Sequence, residues 1–393
     1  MISICSECLK DKFLKKYLTS NVVKGTCIIC KFYGQDHVNA EEENFQNLFK
    51  AVVRYHYGEY HYNFHWGGHL HLMDFLLDEN LIIEHRFKHE DDTHTLYNIL
   101  TEKPYANYEE GVSLYYGTDE DGSRGLFGNN LQEEEPFFIR QLEWRIQEEN
   151  HFLVEDTLKN KLDFTKNLIA RKMKKNTCFY RARIGIADLY YNNELIGFGK
   201  GEYFYKAYTK EQISSPPPPK ATAGRLNRHG VSYLYLSSDI STSVSEVRPH
   251  PGHLISVGEF LLEKDICIAD LHDLDLTDFC TDHLLDDFVI LNSIGRRFSM
   301  PVTPEEKEKY LLTQLFSDVF RQLGFHGVVF NSSVSSGFNL VLFYPELCRY
   351  SEEFSKVFSC EEVSYKIQDA NENVSFNEET FDQAISLNRL TKQ

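Results

Sequence analysis

Two pairs of cysteines near the N-terminus restrict this chain more than any other feature. Cys5 and Cys8, then Cys27 and Cys30, form C-x2-C, 18 intervening residues and C-x2-C. This is zinc-ribbon spacing, in which two tight knuckles present four thiolates to one tetrahedral ion. A segment of about 35 residues has little core of its own, so the metal would supply its folding energy. Four protein ligands leave no open coordination position, which makes such a site structural rather than catalytic. Without a metal, the same residues read as reduced structural cysteines. The start MISICSECLKDK lacks the basic segment and apolar core of a signal peptide, and no window reaches 18 uninterrupted apolar residues. These features point to the cytosol and to no membrane partner, and disulfides are disfavoured there. The other cysteines, Cys178, Cys267, Cys280, Cys348 and Cys360, are scattered.

The rest of the chain is long enough for two or three domains, and its 42% apolar and 14% aromatic residues are enough for a packed core. With 41 basic against 59 acidic residues and a net charge of −18, it is a poor nonspecific binder of nucleic acid. Residues 1–39 read as the knuckle and 40–172 as a mostly helical domain. Phe45, Leu48, Phe49 and Val52 recur at helical spacing over 41–54, and Phe137, Ile139, Leu142 and Ile146 form a second stripe in a helical run over 133–175. Between them lie His56, His61, His65, His69 and His71, interleaved with aromatics at irregular spacing, which favours packing over metal binding. The acidic run TDEDGS lacks EF-hand spacing and reads as a solvated loop.

A different chemistry is concentrated in Pro216 to Val247. A polyproline run enters a turn with Gly224, Arg225, Asn227, Arg228 and Gly230, then an alternating strand over 231–236, a polar break and a short helix ending at Glu246. Glycines permit close backbone approach, and guanidinium groups offer paired donors to phosphate oxygens. Arg225, Arg228 and Arg248 equally fit a set of surface ion pairs, and Glu246 a partner for Arg248. Of Tyr233 and Tyr235, one is expected at the surface.

Two further segments complete a pattern. Over 177–184 the sequence TCFYRARI is strand-like, with Arg181 and Arg183 on one face, and over 324–344 GFHGVVFNSSVSSGFNLVLFY reads as two buried strands about a serine-rich turn. In this order, YRAR, GRLNRHGVSYLYLSSDISTSVSEV and GVVFNSSVSSGFNLVLF resemble the RES domain family. The resemblance covers roughly 175–350, and the domain is taken as 173–350 with a partly ordered tail at 351–393. It implies an α+β chain, with a knuckle and a helical part followed by a fold like that of ADP-ribosyltransferases. It also implies a toxin that degrades NAD by hydrolysis or phosphorolysis, in a toxin–antitoxin pair or in phage defence.

Carried over by position, the family arginine falls on Arg181, the loop arginine on Arg225, the strand tyrosine on Tyr235, the glutamate on Glu246 and the serine on Ser332, with Ser333 beside it. Glu246, Arg181 and Ser332 are the expected catalytic residues. Arg225, Tyr235, Arg183 and Asn227 are the expected substrate contacts. Ser237 and Val244 depart from the family pattern, and neither departure is expected to touch a chemical group. An enzyme that destroys NAD needs restraint, which implies an antitoxin or regulatory protein, and self-association is open. Arg54 and His61 also loosely fit the R-x4-6-H pattern of HEPN ribonucleases, and the layout resembles HEPN-like domains fused to RES. Ribonuclease activity and protein ADP-ribosylation are therefore alternative readings. Beyond the central loop, strands are expected over 253–262 and 265–271, then an acidic turn with Asp270, Asp273, Asp275 and Asp278. A helix opened by Thr303, Pro304 and Glu306 should pack Leu311, Leu315, Val319 and Leu323 on the sheet.

Overall fold

A computed structural model describes residues 1–58, 61, 81–84, 86–101, 129–192, 202–280, 282–300, 310–364 and 367. His65, His69, His71, the TDEDGS run and the helix start at Thr303, Pro304 and Glu306 lie outside them.

The chain opens with a small antiparallel sheet. β1 (Ser3–Cys5), β2 (Val23–Thr26) and β3 (Tyr33–Asn39) associate in the order β1-β3-β2. Between β1 and β2, α1 (Lys12–Ser20) starts at Asp11, whose carboxylate accepts from the backbone N–H groups of Phe13 and Leu14. α2 (Glu43–His56) buries the expected stripe of Phe45, Leu48, Phe49 and Val52. α3 (Glu90–Thr101), α4 (Phe137–Glu148) and α5 (His151–Asp163) follow.

The single helical run expected over 133–175 is two helices. Asn150 accepts from Phe152 N and so starts α5 afresh. Phe137, the first residue of α4, is exposed, whereas Ile139 and Leu142 are buried.

An eight-stranded sheet fills the second half of the chain. Its strands are β4 (Ala170–Met173), β5 (Cys178–Ile184), β8 (Leu234–Ser237), β9 (Leu254–Leu262), β10 (Ile266–Asp270), β11 (Gly327–Asn331), β12 (Phe338–Leu342) and β13 (Cys348–Ser359). They run in the order β13-β9-β5-β8-β12-β11-β10-β4. The boundaries drawn at 173 and 350 therefore cut both edge strands, which are polar enough to hide their pairing. β6 (Asp188–Asn192) and β7 (Glu202–Lys206) pair with each other in a separate ribbon. The helices of this half are α6 (Ile240–Glu246), α7 (Asp282–Ser299) and α8 (Tyr310–Gln322).

Among the described strands of this sheet only β10 and β11 pair in parallel, so the chain must cross over between them, and α7 and α8 lie in that crossover. The strand period of two then divides the side chains. Val328, Phe330 and Val341 join the cluster under the helices, while Val329, Leu340 and Leu342 join the opposite one. The first cluster is continuous from Ile4 to Phe343, so the N-terminal helices and the sheet share a core.

α8 buries Leu312, Leu315, Phe316, Val319 and Phe320, while Leu311 of the expected stripe is 48% exposed. The apolar face is thus rotated by one residue, toward the two phenylalanines that fit beneath the sheet.

Polar ties reinforce the shared core. Arg297 reaches Glu135 at 2.9 Å and Glu143 at 2.5 Å, and Ser293 donates to Glu135. The acidic turn after β10 is paired rather than simply solvated: Asp270 meets Arg171 at 2.8 Å, and Asp275 meets Lys16 of α1 at 2.7 Å.

Candidate active site

Glu246 occupies the last position of α6, where a carboxylate faces the negative end of the helix. Neutral donors compensate: Ser332 Oγ donates to Glu246 Oε1 at 2.7 Å, and Asn339 Nδ2 donates to the same oxygen at 2.6 Å. No donor among the described residues reaches Oε2. Arg248, the alternative partner for Glu246, forms no ion pair with it in the described residues.

The sheet register explains how these groups meet. β12 pairs antiparallel with β8 so that Asn339 lies opposite Ser237, and Ser237 Oγ donates to Asn339 Oδ1 at 2.9 Å. That leaves the Asn339 amide N–H groups to face Glu246. Ser237, a departure expected to touch no chemical group, therefore fixes the residue that holds the carboxylate. Asn339 was missed by the sequence reading, although an amide inside the apolar strand FNLVL is the signal that finds it. Ser332, at the end of β11, also accepts from Val334 N at 3.2 Å. Ser333 instead lines a separate cavity of about 290 Å³ with Asn331 and Ser299.

Two guanidinium groups face the same space. Arg181 of β5 donates to the Tyr235 carbonyl at 2.8 Å. Burial brings its pKa down to about 10, with Tyr235 opposing that shift. A cation held in so poorly solvated a place is a natural receptor for an anion. Arg225 Nη1 donates to the Phe298 carbonyl and, at 3.2 Å, to that of Ser299, so the loop is latched to the C-terminal end of α7. Burial lowers the Arg225 pKa, and the charge of Glu246 pulls it back.

Asn227 is turned into its own loop. Its Nδ2 contacts the carbonyls of Thr222, Arg228 and Val231, and its Oδ1 accepts from Tyr235 OH at 2.8 Å. The Tyr235 hydroxyl also accepts from Leu226 N, and burial raises its pKa above the ordinary phenol range. Asn227 and the Tyr235 hydroxyl thus shape the loop, while the Tyr235 ring lines the pocket. Tyr233 is only 3% exposed, so neither tyrosine of the pair is a surface residue. A Cβ at Gly224 would come within 2.6 Å of Asn227 Oδ1, which explains the glycine. Arg228 is drawn away to Asp318 at 2.8 Å and to His151 of α5.

Arg181, Arg225, Tyr235, Glu246 and Asn339 line one cavity of about 350 Å³. Arg181 and Val247 also line a wider cavity of about 1610 Å³, and Arg183 sits on its wall. Arg183 does not reach the carboxylate: it is exposed, donates to the Gln212 carbonyl at 2.5 Å and stacks 5.1 Å from the centre of the Tyr208 ring. The structure therefore brings Arg181, Arg225, Tyr235, Glu246 and Ser332 together and leaves Arg183 in the outer space.

At the other end of the chain, one sulfur each from Cys5, Cys8, Cys27 and Cys30 lies within 4.8 Å of the others, and the first three residues are buried. Cys5 and Cys30 sulfurs are 3.6 Å apart, and all four are free thiols. A metal with sulfur ligands at ~2.3 Å in a tetrahedron sets sulfurs ~3.8 Å apart, so the cluster fits a four-coordinate ion. Lys31, just after Cys30, has φ +63°, closing the second knuckle tightly. Arg54 is fully buried, with Nη1 donating to the Tyr57 carbonyl at 3.3 Å, while His61 is exposed. The two residues of the ribonuclease pattern are thus not presented on one surface.

Among the described residues, no helix is long and apolar enough to cross a membrane. The family model for the RES domain matches residues 200–359. No curated protein matches the chain. Among solved structures, the chain is similar to one in the crystal structure of the M. tuberculosis MbcT-MbcA toxin-antitoxin complex. The TM-score is 0.29 and the identity 11%, over 51% of this chain and 92% of that one. The matched span holds Arg225, Tyr235, Glu246 and Ser332, and the eight-stranded sheet adds Arg181 from just before it. The C-terminal part of the chain carries a RES domain.

Proposed function

We propose that this domain cleaves the bond between nicotinamide and ribose in NAD. The observation that carries the reading is Glu246, held through one oxygen by Ser332 and Asn339, beside Arg181 and Arg225 in one cavity. Nicotinamide leaves from a cationic ring, so the barrier lies in positive charge growing on the ribose carbon rather than in leaving-group protonation. A fixed carboxylate stabilises that charge, and its second oxygen is placed to hold a ribose hydroxyl. Buried guanidinium groups bind the pyrophosphate and orient the dinucleotide, while the ring of Tyr235 packs against it.

The inner cavity takes the reacting ribose, and the wider space beyond Arg181 takes the remaining half of the molecule. Four thiolates in this arrangement suit zinc, which would hold the knuckle folded without entering the reaction. Regulation falls to the N-terminal half and to an antitoxin or other regulatory protein that restrains NAD destruction.

The test is incubation of the purified chain with NAD, in phosphate-free and in phosphate buffer, with mass analysis of the products. Nicotinamide with ADP-ribose indicates hydrolysis, and phosphorylated ADP-ribose indicates phosphorolysis. ADP-ribose attached to a protein would replace this reading by group transfer. NAD bound and recovered intact would reduce the domain to a binding module.

A further inference from the structure

The ribbon of β6 and β7 stands out for the large apolar side chains that it exposes. It follows β5 in the chain and forms a sheet of its own; among the described residues its two strands pair with each other, Ala187 N donates to the Lys206 carbonyl at 2.7 Å, and β7 passes close to β13. Leu189 is 47% exposed, Tyr190 52%, Tyr191 49%, Tyr203 57%, Phe204 49% and Tyr205 44%. Leu189, Tyr191, Tyr203 and Tyr205 share one face, with Tyr191 and Tyr203 ring centres 4.9 Å apart, and Tyr190 and Phe204 share the other. A two-stranded hairpin is marginal by itself in water, and three or more strands with an apolar face are needed for independent stability. This ribbon has the apolar side chains of a sheet and too few strands to be one.

We propose that the ribbon is the dimerisation arm of this protein and that its occupant is the same ribbon of a second copy. The sequence of β7, EYFYK, is self-complementary. In an antiparallel pairing centred on Phe204, position 202 falls opposite Lys206 of the partner subunit, and Tyr203 falls opposite Tyr205 of the partner subunit. Both ends then join unlike charges, and the centre joins aromatics at cross-strand contact distance. The product is a four-stranded sheet in the order β6-β7-β7-β6, closed by a twofold axis.

In that sheet Tyr203, Phe204 and Tyr205 of each copy lie within reach of their counterparts across the new strand pair, which extends the ribbon at its β7 edge. Pairing of like ribbons also needs no basic partner surface, which a chain of net charge −18 would otherwise attract. The inference is independent of the NAD reading.

The experiment is sedimentation velocity of the full chain at micromolar concentration. The parent should sediment as a dimer. Tyr203→Ser with Tyr205→Ser changes exposed residues only, so its thermal melt should match the parent while its dissociation constant rises at least tenfold. Lys206→Glu should weaken the dimer, and Glu202→Lys combined with Lys206→Glu should restore it. A monomeric parent, or a dimer indifferent to the tyrosine changes, overturns the proposal. A charge-exchanged variant that stays monomeric overturns the pairing through β7.

Discussion

The cysteine knuckle and the Glu246 pocket are both tight clusters of polar groups, but they are built in opposite ways. Four thiols converge with their sulfurs within 4.8 Å, and a tetrahedral ion would use every one of them. At Glu246 the donors converge on a single oxygen, and the residue lines a cavity. A cluster that satisfies itself stabilises a fold, whereas one with an acceptor left over can act on something else. Position reinforces the contrast: the knuckle lies on local segments at one end of the chain, while the pocket is assembled from β5, β8, α6, β11 and β12.

Metal removal should produce the largest effect and tests the first half of the contrast. Structural zinc in such small units is worth about 10–16 kcal/mol. The purified chain should contain one zinc per molecule, and Cys8→Ser should lose it together with the β1-β3-β2 sheet, visible as lost amide-exchange protection over residues 3–39. If zinc-free protein kept that protection, the knuckle would be self-sufficient and the contrast would break there. Next in size is Glu246→Gln, which keeps the shape and removes the charge. A rise of roughly 2.7–4 kcal/mol in the barrier, a loss of about a hundred- to a thousandfold in the rate of NAD cleavage, is expected with an unchanged melt. A fall of less than threefold would show that the carboxylate is not the charge the reaction uses.

How much of this was legible in the sequence follows from how local each feature is. The cysteine spacing is a local code, and the four sulfurs meet as the spacing implies. Arg181, Arg225, Tyr235, Glu246 and Ser332 were placed by resemblance; the first four line one cavity, and Ser332 bonds to Glu246 from beside it. Asn339 escaped because its role depends on lying opposite Ser237, a register between residues about a hundred positions apart. Asn227 shows a related limit: a polar residue on a glycine-rich loop reads as a ligand contact, and the sequence alone could not show that the same side chain also ties its own loop together. The α8 stripe was offset by one residue, since helical period alone does not choose between Leu311 and Leu312 when both are apolar. The edge strands β4 and β13 were cut because their exposed residues look like linker.

A smaller effect sharpens the comparison within the pocket. Asn339→Leu removes a hydrogen bond to a charged group and strands the Ser237 hydroxyl, so about 1.5–3 kcal/mol of barrier height is at stake. Ser332→Ala should cost a similar amount. Both should act through Glu246, so in the background of Glu246→Gln each should have much less effect on NAD cleavage. Full additivity, measured by a double-mutant cycle, would mean that Asn339 and Ser332 meet the substrate independently of the carboxylate.

The smallest effect belongs to Tyr235→Phe, which removes the hydroxyl bonded to Asn227 and Leu226 while keeping the ring on the pocket wall. At neutral pH the loss should be about 1 kcal/mol of stability, with little change in the chemical step. Alkaline titration adds a sign. Burial is the main reason the Tyr235 pKa is raised, so between the unfolded phenol value near pH 10 and the folded value the native state holds a proton that the unfolded state has released. The contribution is therefore complete below about pH 10 and declines as pH rises beyond it. The parent should lose stability above that point more steeply than the phenylalanine variant, as denaturant titrations at pH 8 and about 10.5 would read. Equal slopes would place the hydroxyl in solvent and remove Tyr235 as the post on which the arginine loop is hung.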